Sequence, residues 1–416
     1  MRGGWHVVAA KGRWVGWALV LALAFGAVRT TWYAVGPPSE SSRLRAQVTW
    51  LNDAVDDSAA ERMQGLFPEG EVFTLALTAL ATARAAEQEG ADRVRLTELV
   101  TTRVGELSDP TVTAAYLPAG GLENGIFLAG WRLHAQLAQA RLSGSPEDAD
   151  TAVTAARRIL TAVEGSSGPF LEAYPGQVWP VDTVVAMAAV ADVDRAFGVP
   201  LADDVVGRWV ERARALAADG LVPHHVGPDM SVLDGPRGSS GALALSFLPS
   251  LDPEWSAQAW EAFVPRFVTR VAGAVGVREF ESGSNRSGDV DSGPLIAGVS
   301  LSASAVAVAA ARANGSPALA ADLMRQAEVV GLPIDMGGSR RYALGALPVG
   351  DAFLAWARST PEVTATVSTE APRPLWWVWV APWLLGIAAL VIALRVARRR
   401  RPPDAEQQER AAVQGP

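Results

Sequence analysis

Acidic side chains recur in this sequence at one kind of place, the loop immediately ahead of an apolar, alanine-rich stretch. Glu69 and Glu71 fall in FPEGEVF, Glu123 in LPAGGLENG and Asp182 in YPGQVWPVD. Asp229 and Asp234 lie in PHHVGPDMSVLDGPRGSS, Asp289 and Asp291 in SGDVDSGP, and Asp351 in GALPVGD. Carboxylates gathered at one site can divide into an acid and a base when their surroundings push their pKa values apart. Hydrolysis of a glycosidic bond needs that division: one carboxylic acid protonates the leaving oxygen while a second carboxylate activates water or attacks carbon. An acid at a helix start can also cap free backbone N–H groups and complement the helix dipole, so each of these residues has a structural role open to it.

Two loops carry more than capping requires. Tyr174 to Asp182 crowds Tyr174, Pro175, Trp179 and Pro180 beside a carboxylate, as a rigid loop presenting a flat apolar face next to an acid would. Ser287 to Pro294 places Asp289 and Asp291 on either side of Val290 between glycines, where the backbone can turn tightly and aim both carboxylates at one cavity, although an Asx-turn plus a cap is equally open. Asp182 and Asp291 are the expected catalytic pair, followed by Asp289, Glu69 and Glu123. Tyr174, Trp179, Phe73, Tyr116, His224 and His225 are the expected substrate-binding residues. His224 and His225 suit hydrogen bonding to a ligand better than metal binding, because no helical His-x-x-x-His pair is present. His134, inside an apolar helical stretch, reads as a core histidine. Arg278, Arg286, Arg340 and Arg341 lie near the last loops and could offset the acidic rim or hold an anionic sugar group. No cofactor motif is visible: there is no phosphate-binding glycine loop, dinucleotide fingerprint or nucleophile elbow.

The elements that must position these residues are helices. Apolar residues recur at three-and-four spacing from about residue 40 to 358, and no convincing strand alternation interrupts them. The pattern predicts helices over 41–64, 69–88, 92–107, 123–142, 147–164, 181–197, 202–218, 239–248, 254–273, 292–314, 317–330 and 348–358. They pair into six hairpins with a period of about 55 residues, longer than common solenoid repeats. The acidic loops all precede the second helix of a pair, and helices 69–88, 123–142 and 292–314 are apolar all round, as a helix buried on every side is.

Six hairpins with an inner and an outer ring resemble the six-hairpin glycosidase superfamily, whose fold is an all-α (α/α)6 toroid. The resemblance covers residues 40 to 360 and rests on helix count, hairpin period and loop chemistry. It implies a substrate cleft at the end of the barrel where the inner helices begin. Asp182 and the Asp289/Asp291 pair, two repeats apart, would then face each other across that cleft. A catalytically silent toroid that binds a glycan or protein is a second expectation. A lyase or isomerase resembling linalool dehydratase-isomerase is a third, although that family's cysteine-dependent site has no counterpart in a chain without cysteine.

Two apolar segments bracket the helical region. Residues 1–35 carry an apolar stretch, Trp14 to Val28, behind Arg2, Lys11 and Arg13, which fits a signal peptide or a short anchor, with cleavage left open. Residues 375–394 have the length of a membrane-spanning helix, open on Trp376, Trp377 and Trp379, and stop at Arg395 and Arg398 to Arg401. Positive charge at both outer ends predicts a cytoplasmic basic tail (395–416) and an extracytoplasmic domain (36–362) joined to the last span by a linker (363–374). Arginine, alanine and valine usage points to a GC-rich bacterial genome and hence to the bacterial cell membrane. Residues 36 to 374 keep 26 of the 36 basic and 41 of the 44 acidic residues, a net charge of −15. Nucleic acid is therefore not an expected partner, since phosphate binding needs a basic face; the membrane and a neutral or cationic glycan are.

Overall fold

The structure, a computed structural model, describes residues 4–35, 40–199, 203–363 and 374–399. Most of the expected linker and the tail beyond residue 399 lie outside them. The chain divides into a small unit built on its two terminal apolar helices and a large unit of residues 38–271 and 275–373. The small unit pairs α1 (Gly4–Val35) with α16 (Trp377–Arg399). Val15–Ala34 and Trp377–Val396 are each long and apolar enough to cross a membrane. A Cβ placed on Gly26 would stand 2.3 Å from the Trp383 ring, and one on Gly16 would stand 2.8 Å from Leu394. The helices thus run antiparallel and approach closely, with the Leu394 and Trp383 side chains lying over the two glycines.

The large unit is mostly helical. Its helices are α2 (Glu40–Asp56), α3 (Ala59–Gln64), α4 (Gly70–Ala86), α5 (Arg93–Glu106), α6 (Pro110–Thr113), α7 (Gly125–Ser143) and α8 (Pro146–Gly165). They continue with α9 (Pro180–Phe197), α10 (Asp203–Arg214), α11 (Gly238–Phe247), α12 (Pro253–Phe267), α13 (Leu301–Ala313), α14 (Pro317–Val330) and α15 (Pro348–Ser359). Packing follows a closed circuit: α4 lies against α7, α7 against α9, α9 against α11, α11 against α13, α13 against α15, and α15 returns to α4. The circuit is built of small residues because each member is flanked on both sides. In α4, Ala76, Leu77, Ala79, Ala81 and Ala85 are all fully buried, and between α7 and α9 a Cβ on Gly130 would stand 2.9 Å from the Ala186 Cβ. The other long helices pack outside it, α2 on α4 and α15, α5 on α4 and α7, α8 on α7 and α9, α12 on α11 and α14 on α13. Their one-sided burial shows in α8, where Ala152, Ala156, Ile159 and Val163 face inward at three-and-four spacing.

Phe73 of α4, Phe127 and Trp131 of α7, Phe247 of α11, and Phe353 and Trp356 of α15 meet with ring centroids 5.1 to 6.5 Å apart. Edge-on and offset pairs of this kind each add about 0.5–1.5 kcal/mol beyond their burial. His134 joins them as a core histidine, fully enclosed, its Nε2 3.0 Å from the Val185 carbonyl and its pKa lowered by burial.

Among the described residues eight short strands correct the expectation of a strandless domain. They are β1 (His225–Val226), β2 (Val232–Asp234), β3 (Val268–Val271), β4 (Ala274–Arg278), β5 (Leu295–Ile296), β6 (Val299–Ser300), β7 (Ile334–Met336) and β8 (Ser339–Arg341). β1 pairs with β2, β7 with β8, and the rest form a sheet of order β3-β4-β6-β5. Helix 254–273 therefore ends at Phe267, just after Pro265, and helix 292–314 begins at Leu301. The turns explain why: Ala272–Gly273 and Gly337–Gly338 all have positive φ, the geometry that closes a two-residue hairpin.

Between α2, α14, β8 and α15 lies a buried charge cluster. Glu328, 1% exposed, accepts from Arg358 Nη2 at 2.9 Å, from Tyr342 Oη at 2.7 Å and from Arg340 Nη2. Arg358 also meets Glu40 at 2.9 Å, and Arg43 approaches Glu328 at 3.5 Å, tying the first helix of the circuit's outer layer to the last hairpin. Asp351 accepts both the Tyr342 N–H at 3.0 Å and Gln47 Nε2 at 3.4 Å, and burial pushes it up to about 8.

Candidate functional site

Helix starts position Glu69 and Asp182, but capping is not what occupies them. Glu69 stands at the N-cap of α4 and makes no side-chain cap hydrogen bond. Asp182 sits in the first turn of α9, behind Pro180, and its carboxyl receives no hydrogen bond among the described residues. Glu123 is not the cap of α7 either; Asn124 holds that position. By contrast, the outer helices α5, α8 and α12 are capped through Asp92, Ser145 and Asp252.

Three carboxyls converge. Asp182 is 9% exposed, and its pKa is raised well above the carboxylate range, first by burial, then by the charges of Glu69 and Asp291. Asp291 keeps 48% of its side-chain surface but is also pushed up to about 6, by burial and then by Asp289 and Glu69, against the pull of Arg237. Burial and like charge thus favour the protonated form of both carboxyls, and Asp182 is the more deeply buried of the two. Glu69 accepts a 2.6 Å hydrogen bond from the Tyr174 hydroxyl. Burial and the Glu69 charge hold the Tyr174 phenol far above its ordinary range, so it stays a donor.

Aromatic rings run away from this cluster in two directions. Tyr174 stacks on Tyr116 at 5.8 Å, and Tyr116, 3% exposed, stacks in turn on Phe127 while its hydroxyl donates to the Pro68 carbonyl. On the other side Tyr174 meets Trp179 edge-on at 5.8 Å, and Trp179 lies flat on His225 at 5.3 Å. Val178 and Val226 bridge the two loops through their backbones, which fixes that stack. Tyr174, Trp179 and His225 are thus beside the acids, with His225 Nε2 buried and without a hydrogen-bond partner. Tyr116 is a buried support, and Phe73 belongs to the aromatic core described above.

His224, 6% exposed, is held by Ser240 Oγ at 3.0 Å from Nδ1 and turns Nε2 to within 4.0 Å of Asp291. Burial, then Arg237, lowers its pKa to about 4, so the contact with Asp291 is between a neutral imidazole and a carboxylate. Asp289 faces away from this contact. Arg237 bonds both it and Asp234, and the Ser292 N–H and hydroxyl each donate to Asp289 at 3.2 Å. Burial opposes its ionisation, but Arg237 and Ser292 outweigh that and keep its pKa low. Arg286 holds Asp234 through two bonds of 2.8 and 2.7 Å, and both arginines lie over the Phe280 ring. Behind them Glu279, fully buried, accepts from Ser239 Oγ at 2.7 Å and is pushed up to about 7 by burial.

Of the expected site residues, the structure gathers Asp182, Asp291, Glu69, Tyr174, Trp179, His224 and His225, with Asp289 one step behind. Glu123 is elsewhere: it lines a groove between α7 and α8. Arg278 turns its guanidinium to the Ala297 carbonyl, and Arg340 and Arg341 lie on β8, Arg340 belonging to the Glu328 network. Arg237, Ser240 and Glu279 were missed, and only the glycine-rich loop around Arg237 marked their neighbourhood. Among the described residues no three His, Asp or Glu side chains are arranged to hold a metal ion. No protein-family model matches the chain, and no curated protein is significantly similar to it.

Proposed function

We propose that residues 40 to 360 form an (α/α)6 toroid that acts outside the cytoplasm of a bacterial cell as a glycoside hydrolase-like enzyme on envelope glycans, tethered by α1 and α16. Supporting the architecture is the circuit of α4, α7, α9, α11, α13 and α15, each with an outer helix, and the gathering of Glu69 and Asp182, at the starts of α4 and α9, with Asp291 of the loop ahead of α13. The length and composition of α1 and α16 support the tether.

The observation that carries the activity is a buried carboxyl, Asp182, with no hydrogen-bond donor, set beside two further carboxylates. A group so placed is destabilised as an anion and suited to giving up a proton to a substrate oxygen. In the proposed reaction Asp182 gives its proton to the glycosidic oxygen, which leaves as an alcohol. Asp291 takes a proton from the water whose oxygen bonds to the anomeric carbon. The two groups then exchange protons with solvent. Tyr174 and Trp179 offer the sugar ring an apolar face, and His224 positions Asp291.

The test is reducing-end release from a panel of bacterial envelope glycans by the full chain in detergent, alongside Asp182→Asn and Asp291→Asn. Release by the native chain that falls at least a hundredfold in each variant is expected. Binding without release in all three proteins would replace the enzyme by a glycan-binding toroid. The acid-lined cluster gives no support to a linalool dehydratase-isomerase-like site, which requires apolar surroundings.

A further inference from the structure

The groove that holds Glu123 has a chemistry of its own. It encloses about 640 Å³ between α7 and α8, which run antiparallel because only Gly144 and Ser145 connect them. Gly121 lies against Ala162 at one end and Gln139 bonds Asp148 at 3.1 Å at the other, which fixes the order of residues along it. Leu128, Ala129, Ala155 and Ile159 supply an apolar floor. Arg132, the eighth residue of α7, and Arg158, the thirteenth of α8, stand mid-groove, and Glu147 and Asp150 stand near the α8 start. Asp150 and Arg158 are eight residues apart on one helix, an axial separation of about 12 Å.

None of these four charges makes an ion pair among the described residues, whereas most arginines around the acid cluster and at Glu328 are paired. Arg132 is the sharper anomaly. Its Nε and Nη2 are shut off from solvent with no acceptor, Gln136 Oε1 beside it is buried with no donor, and Arg158 adds like charge. The guanidinium nitrogen not shut off is Nη1, and an acceptor entering the groove would meet Arg132 there, supplying the counter-charge its buried side lacks. Glu123 influences Arg132 electrostatically but does not bond it.

We propose that this groove is a second binding site, for a short zwitterionic peptide whose carboxylate lies between Arg132 and Arg158 and whose ammonium lies against Glu147 and Asp150. A peptide of three residues spans about 10 Å when extended, which matches the spacing of the two charged ends. The apolar floor favours small aliphatic side chains. The proposal is independent of the carboxylate cluster at the helix starts and of any reaction there.

Trialanine is the probe, titrated calorimetrically into the full chain in detergent, with its C-terminal amide and its N-acetyl form as blocked analogues. Saturable binding by trialanine is expected, weakened at least tenfold in either analogue and in both Arg132→Met and Arg158→Met. Arg158 is exposed, so its variant keeps the test sound should Arg132→Met disturb folding. Failure of trialanine to saturate overturns the proposal, as does unchanged affinity in Arg158→Met. N-acetyl-trialanine binding as tightly as trialanine would also overturn it, leaving a plain carboxylate site.

Discussion

Glu328→Gln isolates the charge at the centre of the buried cluster while keeping its size. Glu328 is 1% exposed and its two arginine partners, Arg340 and Arg358, are each 2% exposed. Glutamine preserves one acceptor for the Tyr342 hydroxyl but leaves two guanidinium groups without their shared counterion. Removing one partner of a buried pair costs about 3–5 kcal/mol. At roughly 2–4 °C per kcal/mol for a domain of this order of size, the midpoint of thermal unfolding falls by about 10 °C. The assay is differential scanning calorimetry of the full chain in detergent, with Asp335→Asn as comparison. Asp335 also bonds Arg340, but it is 55% exposed, and its loss should cost no more than about 1 kcal/mol. Burial raises the Glu328 pKa, but Arg358 and Arg340 outweigh it and hold it below its ordinary value. The stability it contributes is therefore present above the unfolded-state pKa and is lost as pH falls through the lower folded-state pKa, so the difference between native and variant shrinks in acid. Equal losses in Glu328→Gln and Asp335→Asn would refute the reasoning.

The pH profile of glycan release should rise through about 6, as Asp291 loses its proton, and fall at higher pH, as Asp182 loses its own; a flat profile between pH 5 and 9 would contradict the assignment. Asp182→Asn should raise the thermal midpoint, and by more at pH 8 than at pH 5. A carboxyl whose folded-state pKa is raised favours the fold only while protonated, and that contribution is lost as pH rises through the folded pKa. Because the chain has no cysteine, Gly16→Cys with Leu394→Cys should give a single crosslink on mild oxidation, read as a gel-mobility shift in the intact protein. A mature protein lacking residue 16 would give none.

Long helices with one wet face were legible because their period is unambiguous: α14 spans the expected 317–330, and α15 extends the expected 348–358 by a single residue. The segments 268–278 and 292–300 were not. Short Val-, Ala- and Gly-rich runs of two to five residues carry too little period to separate strand from helix, and Ala272–Gly273 is a weaker turn signal than Asn-Gly. Asp182 was legible because Pro180 marks the first turn of α9 and aromatic residues crowd the loop before it. That Asp289 and Asp291 part company, one to Arg237 and the other toward His224 and Glu69, depends on Arg237, an isolated polar residue in a long loop with no periodic marker. Glu123 looked equivalent to Glu69 because repeats suggest equal roles, yet Asn124 took the cap position and left Glu123 on the far side of α7.

The contact between α4 and α15 joins stretches of chain about as distant as the domain permits, and Glu40 and Arg358 are bonded across the same seam. During synthesis the apolar flank of α4 must wait, uncovered, until the final hairpin has left the ribosome. Growth of the circuit from α4 to α13 adds neighbours one at a time, but the last interface forms only when both ends are present. Chains released early therefore carry an exposed alanine- and leucine-rich face, which makes premature termination, rather than a point change in any one helix, the fault this architecture tolerates least.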